Sequence, residues 1–216
     1  MLDFRIDEER CIQCGECAAD CPALCISLDN GYPEITEKRC IRCQHCLAVC
    51  PTGALSILGK NPDDSQPLNA NILPHPQAVE SLIKGRRSVR RYKSTPVPKE
   101  TISHLLQTTG YAPTGMNARQ TLFTVIDDPA VMDELREMTL RRVKEVMQDP
   151  GLPQGLEIIS KYVAAGDKMG VDIFYRGAPH LLLASCPQSA PTPEADCLIA
   201  LSQFELLAAS HGLGTV

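Results

Sequence analysis

Hydrophobic residues in the first 58 positions occur in short runs that are separated by cysteines and polar turns. Runs of this length are too short for long helices, and their aliphatic character favours short strands. The pattern predicts three strands and two short helices in this part of the chain. The strands are Phe4–Ile6, Leu24–Leu28 and Ala54–Leu58, and the helices are Glu16–Asp20 and His45–Val49.

From residue 77 onward, longer helical segments alternate with two runs of strand character. Asp128 followed by Pro129 is typical of a helix start, because aspartate caps free N–H groups and proline is tolerated in the first turn. The apolar run His180–Ser185 predicts a buried strand. The last helix is apolar on nearly every side, which indicates burial in a core or in a subunit interface. The other predictions are helices over Gln77–Lys84, Pro98–Thr109, Pro129–Met147, Leu156–Lys168 and Pro193–Ser210, and a strand over Thr121–Asp127.

Residues 59–76 interrupt both patterns. This segment contains four prolines together with several Asn, Asp and Gly residues. Such a composition is typical of an extended linker. We therefore expect an N-terminal domain at 1–58, a linker at 59–76 and a second domain at 77–216.

Composition narrows the class of protein. A chain of 216 residues accommodates two modest domains. The net charge of -5 and the aromatic content of 4% argue against general nucleic-acid binding, since few side chains are available for base stacking. No apolar stretch reaches about 18 residues, and the acidic N-terminus lacks a signal core. We expect a cytoplasmic protein that does not bind a membrane.

Eight cysteines form two copies of one frame, C-x2-C-x2-C-x3-C-P, which start 29 residues apart. Nine of the eleven cysteines lie between residues 11 and 50, so metal-bound thiolates in a reducing compartment explain the clustering better than disulfides. Zinc is the alternative to iron–sulfur clusters, although zinc sites usually use separated C-x2-C pairs. Cys25 lies outside the frame, and we interpret it as a buried apolar thiol. The frame consists of Cys11, Cys14, Cys17 and Cys21, and then Cys40, Cys43, Cys46 and Cys50.

The double frame resembles the bacterial two-cluster [4Fe-4S] ferredoxin domain, in which the fourth cysteine of each run binds the other cluster. The resemblance implies a ferredoxin-like fold and two [4Fe-4S] clusters. His45 lies within the second loop, and we expect it to tune a cluster potential through a hydrogen bond. The implied ligands are Cys11, Cys14, Cys17 and Cys50 for one cluster, and Cys40, Cys43, Cys46 and Cys21 for the other.

Two segments of the second domain suggest a ligand site. Residues 84–93, KGRRSVRRYK, contain six basic residues and no acidic one. This segment is either a solvated charged run or an anion site, because arginine side chains match phosphate oxygens well. Residues 111–120, YAPTGMNARQ, form either an ordinary connection or a tight loop whose backbone approaches a planar ligand.

Together with Gly177-Ala178-Pro179, the helix motif from Asp196 to Ala200 and the final Gly-Leu-Gly-Thr at 212–215, these segments resemble the FMN-dependent nitroreductase family. The resemblance covers about residues 77–216. It implies an α+β flavin domain and a homodimer with FMN at its interface. Arg86, Arg87, Ser88 and Arg90 would hold the FMN phosphate and ribityl chain, and Pro113, Thr114, Gly115 and Asn117 of the partner subunit would line the flavin ring.

Two departures from the family pattern affect this site. The family's N-x-Q-P is replaced by Asn117-Ala118-Arg119-Gln120, so an arginine stands where the family has the glutamine of this contact. The family also continues beyond Gly-Leu-Gly-Thr into another flavin-contacting segment, whereas this sequence stops at Val216. We therefore expect the flavin domain to be incomplete at its C-terminus, in a fragment of a longer chain.

The combined resemblances predict an FMN-dependent, nitroreductase-like oxidoreductase. It would pass electrons between two [4Fe-4S] clusters, FMN and NAD(P)H or a nitro- or quinone-type small-molecule acceptor. A ferredoxin- or flavodoxin-type protein is the expected redox partner. We predict no general base or nucleophile, because the flavin carries the chemistry. The alternatives are a non-catalytic iron–sulfur electron carrier or redox sensor with a flavin-free dimerising domain, and a zinc-binding interaction module.

Overall fold

The computed structural model describes residues 1–66, 68, 72–148 and 152–216. The chain forms two compact units. The N-terminal unit comprises Met1–His75 and Gly115–Arg119, and the C-terminal unit comprises Pro76–Thr114 and Gln120–Val216. Residues 67 and 69–71 of the predicted linker lie outside the described residues. None of the helices in the described ranges has the length and apolar character needed to cross a membrane.

The described part of the N-terminal unit contains two antiparallel strand pairs and two short helices. Its elements are β1 (Arg5–Ile6), α1 (Glu16–Ala19), β2 (Ile26–Ser27), β3 (Glu34–Ile35), α2 (His45–Ala48) and β4 (Leu55–Ser56). β1 pairs with β4, and β2 pairs with β3. The five predicted elements are confirmed, although each is shorter than expected. β3 was not predicted, because a strand of two residues has no periodicity to detect.

The core of the N-terminal unit combines thiols with aliphatic side chains. Ile57 is fully buried, and Leu55 is nearly so. Four cysteines share this core with them, namely Cys17, Cys21, Cys25 and Cys46. A unit of this size buries little apolar surface, so its stability is expected to depend on groups bound by the cysteines of the repeated frame.

Five helices and one two-stranded antiparallel sheet make up the described part of the C-terminal unit. Asp128 accepts a hydrogen bond from the N–H of Ala130 at 2.8 Å, which confirms the predicted helix start. The predicted bounds agree with the structure within two residues. The elements are α3 (Pro76–Gly85), α4 (Lys99–Thr109), β5 (Leu122–Ile126), α5 (Pro129–Gln148), α6 (Ile158–Met169), β6 (Leu181–Ser185) and α7 (Pro193–Ser210).

Helix α7 lies at the centre of this unit and packs against α3, α4 and β6. Ala200 and Ala208 of α7 are buried, but Leu198 is 68% exposed. The single chain therefore encloses only part of the apolar helix. The prediction that β6 is a buried strand is wrong for the single chain: Leu183 is 47% exposed, because β6 has only β5 beside it in the described sheet.

Candidate functional site

The two cysteine loops have matching backbones. In each loop, two positions at the same place in the repeat adopt positive φ: Gln13 and Arg42 at 55° and 58°, and Gly15 and Gln44 at 79° and 63°. Left-handed residues of this kind turn successive N–H groups toward one side of a loop, which suits a negatively charged group such as a metal-bound thiolate or sulfide. One such contact is present, since the N–H of Arg42 lies 3.3 Å from the Sγ atom of Cys40.

Each loop encloses a small cavity that the predicted cluster cysteines line. Three cysteines of each cavity come from one repeat, and the fourth comes from the other repeat. The first cavity is lined by Cys11, Cys14, Cys17 and Cys50. The second cavity is lined by Cys40, Cys43, Cys46 and Cys21, and a fifth cysteine, Cys25, joins them.

The cysteine arrangement fits iron–sulfur clusters. Within the described ranges, no group of three or more His, Cys, Asp and Glu side chains converges as it would around one metal ion. The four cysteines of a [4Fe-4S] cluster bind different iron atoms, so they surround a cavity instead of a single point. The first cavity is otherwise lined largely by apolar residues such as Ile6, Pro33 and Leu55.

The fourth cysteine of each repeat accepts hydrogen bonds from residues that follow it. Cys21 Sγ lies 3.5 Å from the N–H of Cys25 and 3.4 Å from its Sγ atom. Cys50 Sγ lies 3.2 Å from the N–H of Ala54 and 3.8 Å from the hydroxyl of Thr52. Burial acts to raise the pKa of both cysteines, but these donors outweigh it, so each pKa lies below its ordinary value.

At three other cysteines, burial leaves the pKa of the thiol above its ordinary value. It raises the pKa of Cys17, and it raises the pKa of Cys46 to about 11. Burial and the neighbouring Cys21 raise the pKa of Cys25 to about 12. Since cysteine binds metal as the thiolate, insertion of the predicted clusters would release the protons of thiols such as Cys17 and Cys46.

The His45 side chain forms a hydrogen bond that connects the two repeats. Its Nδ1 atom lies 2.9 Å from the carboxylate of Asp20, the residue that precedes Cys21. The sequence placed His45 in the cluster loop but gave no indication of Asp20 as its partner, because the two residues lie in different repeats.

The basic run borders a cleft of about 400 Å³ in the C-terminal unit. Arg86 and Arg87 line this cleft together with residues of the final Gly-Leu-Gly-Thr segment. Val89 donates its N–H to the carbonyl of Thr215 at 2.8 Å. A Cβ atom at Gly214 would lie 2.5 Å from a Val89 methyl carbon, so only glycine permits this close packing.

The arginines of the predicted phosphate site differ in their contacts. Arg86 forms an ion pair with Glu205 at 2.9 Å, and the Thr215 hydroxyl also lies 3.3 Å from that carboxylate. Arg87 donates to main-chain carbonyls of α3 and the following residue. Ser88 and Arg90 do not line the cleft, and Arg90 donates to the carbonyl of Ser88 at 3.3 Å.

Glu205 was not predicted as a site residue. Its position in the sequence does carry a signal, because it is the only charged residue between Leu198 and Ala209. A carboxylate in a stretch without other charges usually has a cationic partner when it is partly buried. The sequence alone does not show that this partner is Arg86, 119 residues away.

The predicted flavin-ring loop is divided between the units. Pro113 and Thr114 belong to the C-terminal unit, whereas Gly115 and Asn117 group with the N-terminal unit. Residues Gly115–Asn117 form a 3₁₀ turn. Within the N-terminal unit, the Asn117 side chain donates to the carbonyls of Ile41 and Arg42 at 3.2 and 3.1 Å.

Two protein-family models match this chain, one over its N-terminal part and one over most of the remainder. The model of the 4Fe-4S dicluster domain matches residues 4–57. The model of the nitroreductase family matches residues 83–216, which is more than half of the chain. The chain belongs to the nitroreductase family. The same chain carries a 4Fe-4S dicluster domain ahead of its nitroreductase-family domain.

The chain is similar to several individual proteins of known name. An iodotyrosine deiodinase of Thermotoga neapolitana is 27% identical over 62% of this chain and 70% of its own length. The nitroreductase NfnB of Mycolicibacterium smegmatis is 25% identical over 64% of this chain and 69% of its own length. The structure of an FMN-dependent nitroreductase from Clostridium difficile R20291 matches with a TM-score of 0.50 at 24% identity, over 65% of this chain and 59% of that chain. That likeness shows the nitroreductase-like α+β fold, and this chain spans about three fifths of that protein's length.

Proposed function

We propose that this chain is part of an FMN-dependent oxidoreductase. It passes electrons between two [4Fe-4S] clusters, FMN, and NAD(P)H or a nitro- or quinone-type acceptor. FMN exchanges electrons singly or in pairs and each cluster exchanges one at a time, which is the chemistry that the cofactors supply when bound. A ferredoxin- or flavodoxin-type protein is the proposed partner at the clusters.

The hydrogen bonds of Asn117 carry this proposal. This residue belongs to the motif whose resemblance implies flavin contact, yet its amide bonds to the two carbonyls between Cys40 and Cys43. One side chain thereby fixes a segment of the flavin motif to the loop of the second cysteine cavity. This contact lies within the N-terminal unit, and together with the match to a 4Fe-4S dicluster domain it supports a redox function that the clusters and the flavin share.

The remaining residues have binding roles in this proposal. The two sets of four cysteines hold the clusters, and Arg86 and Arg87 hold the FMN phosphate in the cleft that they line. Pro113, Thr114 and Gly115 provide the loop beside the flavin ring. Arginine suits the phosphate because its planar donors match two oxygens at once. A homodimer completes the flavin site, in keeping with the exposed apolar surface of α7.

The composition of the protein purified without oxygen tests the proposal. We expect about eight irons, about eight sulfides and about one FMN per chain. About eight irons without FMN, in the chain extended to the full length of its relatives, favours the non-catalytic electron carrier. A colourless protein that contains zinc contradicts the cluster assignment.

Substitution of Asn117 tests the connection between the loops. Asn117→Ala removes both hydrogen bonds to the cluster loop, so we expect reduced ferredoxin to bleach the bound flavin more slowly, per FMN present, at unchanged iron content. Met116→Ala removes an exposed neighbour in the same turn and serves as the control. An unchanged bleaching rate in Asn117→Ala, measured by stopped-flow absorbance, contradicts the proposed role.

A further inference from the structure

The two cysteine repeats differ at three aligned positions just after the fourth cysteine, and at two of these a side chain in one repeat approaches that cysteine's sulfur. Alignment of the repeats places Ala23 opposite Thr52, and Cys25 opposite Ala54. The backbones nevertheless match here, because the intervening Leu24 and Gly53 both have positive φ, at 48° and 60°. The local backbone is therefore the same in both repeats, and only the side chains attached to it differ.

One hydrogen-bond donor is common to both repeats. The backbone N–H four residues after the fourth cysteine approaches its sulfur, at 3.5 Å for Cys21 and at 3.2 Å for Cys50. This donor belongs to the main chain, so it does not depend on the side chain. The sulfurs of Cys21 and Cys50 therefore have the same kind of backbone hydrogen bond.

A second donor is supplied by a different side chain in each repeat. The Cys25 sulfur lies 3.4 Å from the Cys21 sulfur, and the Thr52 hydroxyl lies 3.8 Å from the Cys50 sulfur. A cysteine that binds iron is a thiolate and has no proton to donate. Once Cys21 and Cys50 are ligands, the donors in these two pairs are the Cys25 thiol and the Thr52 hydroxyl.

We propose that Cys25 and Thr52 are positioning residues that set the reduction potentials of the two clusters separately, each through a hydrogen bond to the fourth ligand. The inference rests on the ligand sets of the proposed function. Reduction adds negative charge to a cluster and its sulfurs, so a donor to a ligand sulfur stabilises the reduced state more than the oxidised state. Each donor therefore raises the potential of its own cluster.

The internal repeat supplies matched substitutions. Cys25→Ala and Thr52→Ala each introduce the residue that the sister repeat already has at the same place, so the local backbone accommodates both. Each variant of the full chain is purified without oxygen and titrated at controlled potential, with the reduced clusters detected by electron paramagnetic resonance. We expect each single variant to lower the midpoint potential of one cluster, and the double variant to lower both.

Two further measurements separate tuning from ligation. Cys25→Ser retains a hydroxyl donor, so we expect its potential to lie closer to the unsubstituted protein than that of Cys25→Ala. Unchanged potentials in both alanine variants overturn the inference. Loss of about half of the iron from Cys25→Ala also overturns it, because Cys25 would then be a ligand.

These readouts do not depend on flavin or turnover. Shifted potentials in a protein whose clusters fail to reduce the flavin support the inference and contradict the proposed electron transfer. Far fewer than about eight irons in the unsubstituted protein overturn both the ligand sets and the inference.

Discussion

Gly53 shows how a single residue shapes the cluster domain. Its φ is +60°, and a Cβ atom there would lie 2.7 Å from a guanidinium nitrogen of Arg10. Arg10 donates to the carbonyl of Thr52 at 3.1 Å and forms a two-point ion pair with Asp63 at 2.9 Å. Glycine at this position therefore permits both the turn after Cys50 and the arginine that spans it.

Gly53→Ala is expected to destabilise the N-terminal unit more than Gly59→Ala. Both glycines have positive φ, so both substitutions cost about 1–2 kcal/mol in backbone strain. Only Gly53→Ala also displaces Arg10, because nothing lies within 4 Å of a Cβ at Gly59. Thermal loss of the cluster absorbance provides the measurement, and equal midpoints for the two variants contradict this account.

A second prediction at the level of single residues concerns the arginines of residues 84–93 and the affinity for FMN. Arg86 lines the cleft and is oriented by Glu205, so Arg86→Gln is expected to weaken FMN binding about tenfold or more, as the loss of a charged hydrogen bond implies. Arg91→Gln removes the same charge from an exposed residue outside the cleft lining and serves as the control. Fluorescence titration of the apoprotein with FMN measures both affinities, and equal affinities for the two variants count against the phosphate assignment.

At the scale of elements, helix α7 combines a buried side with an apolar exposed side. Ala200 and Ala208 face the core, while Leu198 and Ile199 remain accessible in the single chain. Exposed leucine and isoleucine beside each other on a central helix favour contact with another protein surface. A second copy of this chain is the partner that the nitroreductase resemblance implies.

Leu198→Asp is expected to weaken the proposed homodimer. A carboxylate buried without a partner weakens association by about tenfold or more, because the charge loses its hydration. Met138→Asp on α5, where the methionine is 47% exposed, serves as the control for added charge. Sedimentation equilibrium gives the dissociation constants, and equal constants for Leu198→Asp and Met138→Asp rule out α7 as the interface.

The sequence predicts elements well where their chemistry is local. Asp128 and Pro129 locate the start of α5 because capping depends on neighbours in the chain. The exposed face of β6 was not predicted, because its apolar residues do not show how many strands lie beside it. The Arg86–Glu205 pair was missed for the same physical reason, since both its position and its energy depend on tertiary contact.

For the whole molecule, the two units depend on different sources of stability. The C-terminal unit buries aliphatic side chains such as Leu105, Met132 and Val163. The core of the N-terminal unit consists in large part of the cysteines that line the two cavities. Its stability should therefore depend on metal far more than that of its neighbour.

Removal of iron is expected to unfold the N-terminal unit selectively. After anaerobic chelation, hydrogen exchange measured by mass spectrometry should show lost protection around α1 and α2 and retained protection in α4 and α7. The buried thiols provide the reason, because without iron they leave a core that is too small. Uniform loss of protection across both units contradicts independent stability.

The division of ligands between the repeats has a consequence for the history of this domain. Each cavity takes three cysteines from one repeat and one from the other, so neither half of the domain contains a complete set of four. A peptide with a single repeat would need to meet a second copy of itself, in a two-fold arrangement, to enclose even one cavity. When two such copies are joined in one chain, their association becomes intramolecular and no longer depends on the protein concentration. Each copy is then free to vary at positions such as 25 and 52.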